Sequence, residues 1–91
     1  MTLHPKITAT YRFTRDGTSP AGFASRNRPS TDALSVVATW ALGGAGRSYS
    51  VLEDGDEALL VKLTLREDDI DQARNDMEVL CSKHGVMREA V

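Results

Sequence analysis

Ala58-Leu-Leu-Val-Lys-Leu-Thr-Leu65 runs almost directly into Glu67-Asp-Asp-Ile-Asp-Gln-Ala-Arg-Asn-Asp-Met-Glu-Val-Leu-Cys-Ser-Lys83. In the first segment Leu59, Val61, Leu63 and Leu65 alternate with Ala58, Leu60, Lys62 and Thr64. In the second, Ile70, Ala73, Met77, Leu80, Cys81 and His84 recur at three- and four-residue spacing. A period of two gives way to a period near 3.6 within about three residues, the pattern of a strand packed against the helix that follows it. The strand's first set is expected to meet Ile70, Ala73, Met77 and Leu80 across one core. Gly85 is expected to end the helix, and Val86 to Val91 to form a short final strand.

Outward from this spine, Asp54-Gly55 is a hairpin signal, and Arg47-Ser-Tyr-Ser-Val-Leu-Glu53 before it alternates with Tyr49 and Val51 on one side. Pro29-Ser-Thr-Asp32 reads as a helix start, with Ser30 or Thr31 as cap and Asp32 against the positive end of the dipole. Ala33, Leu34, Val37, Ala38 and Ala41 are expected to form that helix's buried stripe, with Val36, Trp40 and Leu42 at its flanks and Trp40 in the core. The helix should stop at Gly43-Gly44, where a left-handed residue is wanted. Ile7 to Thr14 alternates without error, so Ile7, Ala9, Tyr11 and Phe13 share one face of a strand. Asp16-Gly17 then predicts a tight turn. Ala21 to Arg26 reads as the returning strand with Phe23 inward, or alternatively as an irregular loop.

The expected fold is a two-layer α+β domain, with an antiparallel sheet of about four strands and two helices on one face. Its order is ββαββα if Ala21 to Arg26 is a strand. It is βαββαβ, the ferredoxin-like arrangement, if that segment is loop and the tail is strand. The 91 residues form one domain, 1–91. A composition 41% hydrophobic and 26% charged is that of a globular chain. The single cysteine excludes an internal disulfide. Met-Thr-Leu-His-Pro-Lys has no apolar core of signal-peptide length, and the weakly polar run Ala33 to Gly46 suits a buried helix, not a membrane span. A cytoplasmic protein with no membrane partner is expected.

The net charge of −2 hides a division: residues 1–50 carry six basic groups and two acids, residues 51–91 five basic groups and eleven acids. Such asymmetry bears on partners. The acids Glu67, Asp68, Asp69 and Asp71 lack the spacing of a calcium loop and fit a helix start. Cys81 and His84 lie three apart on a helix but sit on its apolar stripe, which favours packing over metal binding. Gly43-Gly-Ala-Gly-Arg47 follows a helix, whereas phosphate cradles open one. No nucleophile elbow or Ser/His/Asp set is visible. The reading is therefore of no enzyme: no catalytic residue, no metal, no cofactor and no small-molecule substrate.

Three surfaces remain for binding. Arg12, Arg15, Arg26, Asn27, Arg28 and Arg47 make a basic hairpin and loop suited to phosphate or carboxylate groups. Glu67, Asp68, Asp69, Asp71 and Asp76, with Glu78, make an acidic helix face. The sheet face away from the helices carries Thr8, Thr10, Arg12, Thr14, Ser48, Ser50, Lys62 and Thr64, with Leu52 and Leu60 among them. Tyr11 and Phe13 are expected on the core side, which weakens a single-strand reader's version, since such readers stack bases on exposed aromatics.

With the hairpin from Ile7, the capped helix from Pro29, the hairpin from Arg47 and the acidic helix, the chain resembles the small α+β proteins that phages encode to inhibit bacterial defences. Anti-CRISPR proteins are among them. The resemblance is one of size, layout and charge over the whole chain, with no diagnostic motif. It implies a non-catalytic inhibitor that docks on a protein or ribonucleoprotein effector, with guide RNA as a further contact, and blocks its access to target DNA. It also implies residence in the host cytoplasm. The alternatives are a ferredoxin-like RNA- or DNA-binding domain and a ligand-sensing or oligomerising regulatory module.

Overall fold

The structure, a computed structural model, describes residues 5–91; the first four residues of the opening Met-Thr-Leu-His-Pro-Lys segment lie outside the described residues. Its elements are β1 (Lys6–Arg15), α1 (Pro20–Ala24), α2 (Pro29–Leu42), β2 (Ser48–Asp54), β3 (Ala58–Arg66), a 3-10 turn (Glu67–Asp69), α3 (Ile70–His84) and β4 (Val86–Ala90). All pairings are antiparallel and the sheet order is β2-β3-β1-β4. This is the βαββαβ ferredoxin-like arrangement with one short helix added after β1, so the ββαββα order is corrected.

Register explains the core. Ile7 pairs with Leu65, Ala9 with Leu63, Tyr11 with Val61 and Phe13 with Leu59, so the apolar sets of the two central strands share one face. Phe13, Leu59, Val61, Leu63 and Leu65 are buried there with Ala33, Val36, Val37 and Trp40 of α2 and Ala73, Met77 and Cys81 of α3. Ile70 and Leu80 pack against this cluster. Val86 is buried and anchors the final strand. The spine read from the sequence is present as expected.

Between β1 and α2 the chain departs from expectation. Asp16-Gly17 makes no hairpin: Gly17 lacks positive φ, and Asp16 Oδ1 accepts from the Thr18 amide and hydroxyl at 3.0 and 2.6 Å. Ser19 then caps α1, its Oγ accepting from the Gly22 amide at 3.0 Å, and Pro20 occupies the first turn. Ala21 to Ala24 is therefore helix, not the predicted strand, and Phe23 points outward at 85% exposure. A backbone crossing holds α1 in place. The Asp16 amide donates to the Gly85 carbonyl at 2.8 Å, and a Cβ on Gly85 would lie 2.0 Å from the Gly22 nitrogen. Gly85 also has φ +67 and closes α3, its amide directed at the Cys81 and Ser82 carbonyls.

Two details of α2 differ as well. Its N-cap is Arg28 with Pro29 as the first helical residue, ahead of Ser30 and Thr31. Its buried face is Ala33, Val36, Val37 and Trp40, while Leu34 is exposed. The stripe is thus rotated toward α3, where Trp40 Nε1 donates to the Ala73 carbonyl at 3.0 Å. Gly43 ends the helix in a right-handed conformation, and the left-handed residue comes later, at Gly46.

The Asp54-Gly55 hairpin forms as predicted, with the Gly55 amide donating to the Ala58 carbonyl at 2.9 Å. A bulge at Leu52 breaks the β2–β3 register between Val51 and Glu53. Every residue of β2 is exposed, the strand forming one edge of the sheet.

The glycine crossing can be tested by a pair of substitutions. Gly85→Ala combines left-handed strain with the clash against Gly22 and is expected to cost about 2–4 kcal/mol. That lowers the melting midpoint by roughly 10 °C or more in a domain this size. Gly17→Ala, with nothing within 4 Å of the new methyl, should leave the melt within about 0.5 kcal/mol of the parent. Equal melting curves for the two variants would show that the crossing does not constrain the fold.

Candidate functional site

Arg47 sits between the glycine connector and β2, and its side chain is only 1% exposed. Its Nε donates to Asp69 Oδ2 at 2.7 Å and its Nη2 to Asp69 Oδ1 at 3.3 Å, a two-point grip on the turn before α3. Nη2 also lies 3.0 Å from Asp76 Oδ2, and Nη1 donates to the Trp40 carbonyl at 3.1 Å. The guanidinium carbon stands 5.2 Å from the centroid of the Trp40 ring. Gly44 makes room, since a Cβ there would come within 2.5 Å of Arg47 Nε. The hydrogen bonds Arg47 donates to Asp69 outweigh desolvation and, with its bond to Asp76, raise the Arg47 pKa. Hydrogen bonds from Gln72 and Arg47 hold the Asp76 carboxyl below its ordinary value. This cluster ties α2, α3 and β2 together and engages four of the five Arg47 N–H donors within the protein. Its predicted role as part of a basic binding loop is corrected.

The rest of the predicted loop divides. Asp32 is buried on α2 and accepts from Ser25 Oγ at 2.5 Å and Asn27 Nδ2 at 3.0 Å, with Arg15 Nη2 at 3.7 Å. Burial pushes the Asp32 pKa up, but those hydrogen bonds and the Arg15 charge bring it below normal. Arg15 also donates to the Asn27 carbonyl. Arg15 and Asn27 therefore fasten the loop to the helix. Arg28 reaches Asp56 of the β2–β3 hairpin at 2.9 Å. Only Arg12, on the helix-free sheet face, and Arg26, in the loop, are exposed with no ion-pair or hydrogen-bond partner among the described residues. The six residues do not make one surface.

The acidic face divides too. Glu67, Asp68 and Asp71 are exposed, whereas Asp69 and Asp76 turn toward Arg47. Asp68 holds Arg66 at 2.5 Å, and α3 also exposes Arg74 and Lys83. The denser negative patch is the hairpin tip, where Glu53, Asp54, Asp56 and Glu57 are all exposed. Four acids in the five residues Glu53 to Glu57 mark this patch in the sequence itself. Cys81 lies in the core, where burial pushes its thiol pKa up. No group of three or more His, Cys, Asp or Glu side chains suited to a metal occurs among the described residues. No helix there is long and apolar enough to cross a membrane.

The helix-free face of the sheet is largely polar. In register, Thr8 faces Thr64, Thr10 faces Lys62 and Arg12 faces Leu60, with Ser48 and Ser50 alongside. Acids enter only on the edge strands, Glu89 opposite Arg12 and Glu53 opposite Leu60.

No protein-family model matches the chain. No curated protein matches it. Among solved structures it is similar to a C-terminal segment of the alpha subunit of aIF2 from Pyrococcus abyssi, at 13% identity and a TM-score of 0.48. That match covers 96% of this chain and 50% of the other, so this chain spans half of that segment's length.

Replacing Arg47 with methionine leaves Asp69 and Asp76 unpaired and is expected to destabilise the protein by about 2–4 kcal/mol. Arg47→Lys should recover less than half of that, because an ammonium cannot grip two carboxylates bidentately. Acid should act on the same contacts. Asp32 and Asp76 have folded pKa values below the ordinary 3.8, so the unfolded chain binds more protons in acid. Their contribution is fully present above 3.8 and is lost as the pH falls from there through the lowered folded values. Denaturant midpoints measured from pH 6 to pH 2 should fall more steeply for the parent than for Arg47→Met; parallel profiles would refute the coupling of Asp76 to Arg47.

Proposed function

We propose that this chain is a non-catalytic binding protein that docks on a nucleic-acid-handling protein or ribonucleoprotein complex and blocks its access to DNA, as phage-encoded inhibitors of bacterial defence do. The observation that supports this reading is the helix-free sheet face. Arg12 and Lys62 lie there on the two central strands among threonines and serines, with the nearest paired acids on the edges. A guanidinium and an ammonium on a rigid sheet, surrounded by hydroxyl donors, suit phosphate or carboxylate groups on a partner. Arg26 supplies a further exposed charge from the loop.

Direct RNA or DNA binding is the second reading, favoured by the same two cations. The central strands carry no aromatic side chain on that face, so bases have nothing to stack on and affinity would rest on phosphates. Two phosphate contacts predict a shallow salt dependence, a slope of about −1.4 for single strands and about −1.8 for duplex.

Capture from a bacterial lysate at low salt, with the parent and with Arg12→Glu/Lys62→Glu as baits, tests both readings. The double reversal should abolish recovery of the captured complex while leaving the circular dichroism melt unchanged. Recovery that survives the reversal would sink the sheet-face reading. Gel shifts of free RNA and DNA by micromolar protein separate the two: blank lanes favour a protein partner, salt-sensitive shifts favour nucleic acid.

A further inference from the structure

β4 pairs only with the second half of β1, Tyr11 to Arg15, whereas β3 pairs with β1 from Lys6 onward. The core-side residues of the first half, Ile7 and Ala9, therefore have no neighbouring strand on the β4 side, and they remain only half-buried. A cleft of about 130 Å³ opens there between β1 and α3. Ile7, Ala9, Ile70 and Met77 form its walls, and the buried Trp40 and Leu63 reach its interior.

The cleft has a distinct charge. Nine of its eleven lining residues are apolar or aromatic, and the other two are Arg74 and Arg88; no carboxylate lines it. Arg88 stands on the core side of β4, opposite Phe13. Its side chain is 20% exposed, and its guanidinium carbon lies 5.5 Å from the Tyr11 ring centroid. The guanidinium is held in place there, yet it donates no hydrogen bond to any described residue. The one carboxylate in ion-pair range, Glu78, is 3.8 Å away and 66% exposed. Arg15 Nε is the buried side-chain nitrogen without a partner among the described residues, so the Arg88 nitrogens keep contact with water at the cleft mouth and can turn to an entering anion without breaking a hydrogen bond. Arg74, exposed on the first turns of α3, adds a second positive charge with no ion-pair partner among the described residues.

The geometry points to a binding site for a small carboxylate carrying one apolar ring or a short alkyl chain. The carboxylate meets Arg88 and Arg74, and the apolar body enters between Ile7, Ala9 and Met77. Size supports the assignment: an apolar cavity of about 150 Å³ holds one benzene ring, close to the 130 Å³ available here. The site lies on the helix side of the sheet, opposite the docking face proposed above, and does not depend on that reading.

Trp40 is the single tryptophan of the chain and lines the cleft, so its fluorescence reports occupancy. Titration with cyclohexanecarboxylate, which does not absorb at the excitation wavelength, is expected to give a saturable change. Cyclohexylmethanol, of matching size but uncharged, should bind about tenfold or more weakly, the scale of a hydrogen bond to a charged group. Arg88→Gln and Arg74→Gln should each weaken the carboxylate and leave the alcohol unchanged. Ala9→Leu should fill the cleft and abolish both signals without lowering the melting midpoint. The proposal is overturned if the parent shows no saturable change, if acid and alcohol bind alike, or if Ala9→Leu leaves binding intact. Should Arg88→Gln not fold, Arg74→Gln and the acid–alcohol comparison decide the matter alone.

Discussion

One buried charge sets the relation between the layers of this protein. Arg47 cannot be withdrawn from water without compensation, and its compensation comes from three places: Asp69 before α3, Asp76 within α3 and the Trp40 carbonyl of α2. Each contact fixes the position of a different element. The two helices are thereby held at one spacing over the sheet, with the Trp40 ring filling the gap between the guanidinium and the core. Buried ion pairs add little net stability compared with well-packed apolar groups, but they penalise alternatives in which the charge is left alone. Here the penalised alternatives are sliding or rotation of α2 against α3.

The glycine crossing has the same character at the other end of the sheet. A side chain on Gly85 would strike the Gly22 backbone, and one on Gly22 would strike the Asp16 carbonyl. The segment after β1 must fold into the space left by the α3 terminus. A short helix capped by Ser19 fits there; a returning strand would compete with β4, which already occupies that edge of β1.

The strand–helix spine was legible because both periods were long and unbroken: Leu59, Val61, Leu63 and Leu65, then Ala73, Met77 and Cys81, are all buried as read. The short helix at Pro20 was not, although Ser19-Pro20 is a cap followed by a first-turn proline. Asp16-Gly17 is the stronger local signal and points to a hairpin, and nothing local marks Phe23 as an outward residue. Rotation of α2 escaped for a related reason. Leu34 and Val36 are equally apolar, and only the position of α3 decides between them. The candidate sites were least legible. Arg47 and Asp69 lie 22 positions apart, and nothing local distinguishes an arginine destined for burial from one at the surface. The status of Arg88 likewise follows from a register that places it opposite Phe13 and beside Tyr11.

The bulge at Leu52 has a consequence for the exposed edge of the sheet. A flat edge strand is a template on which a further chain can continue the ladder. In β2 the ladder is interrupted after four residues, and the strand twists where the extra residue enters. The segment before the interruption carries Tyr49 and Val51; the segment after it carries Glu53 and Asp54. An incoming strand long enough to exploit the apolar pair must also run past two carboxylates on a misaligned backbone. The edge therefore stays open to solvent without acting as a seed for unlimited stacking, which lets a protein with so thin a helical layer leave a whole strand uncovered.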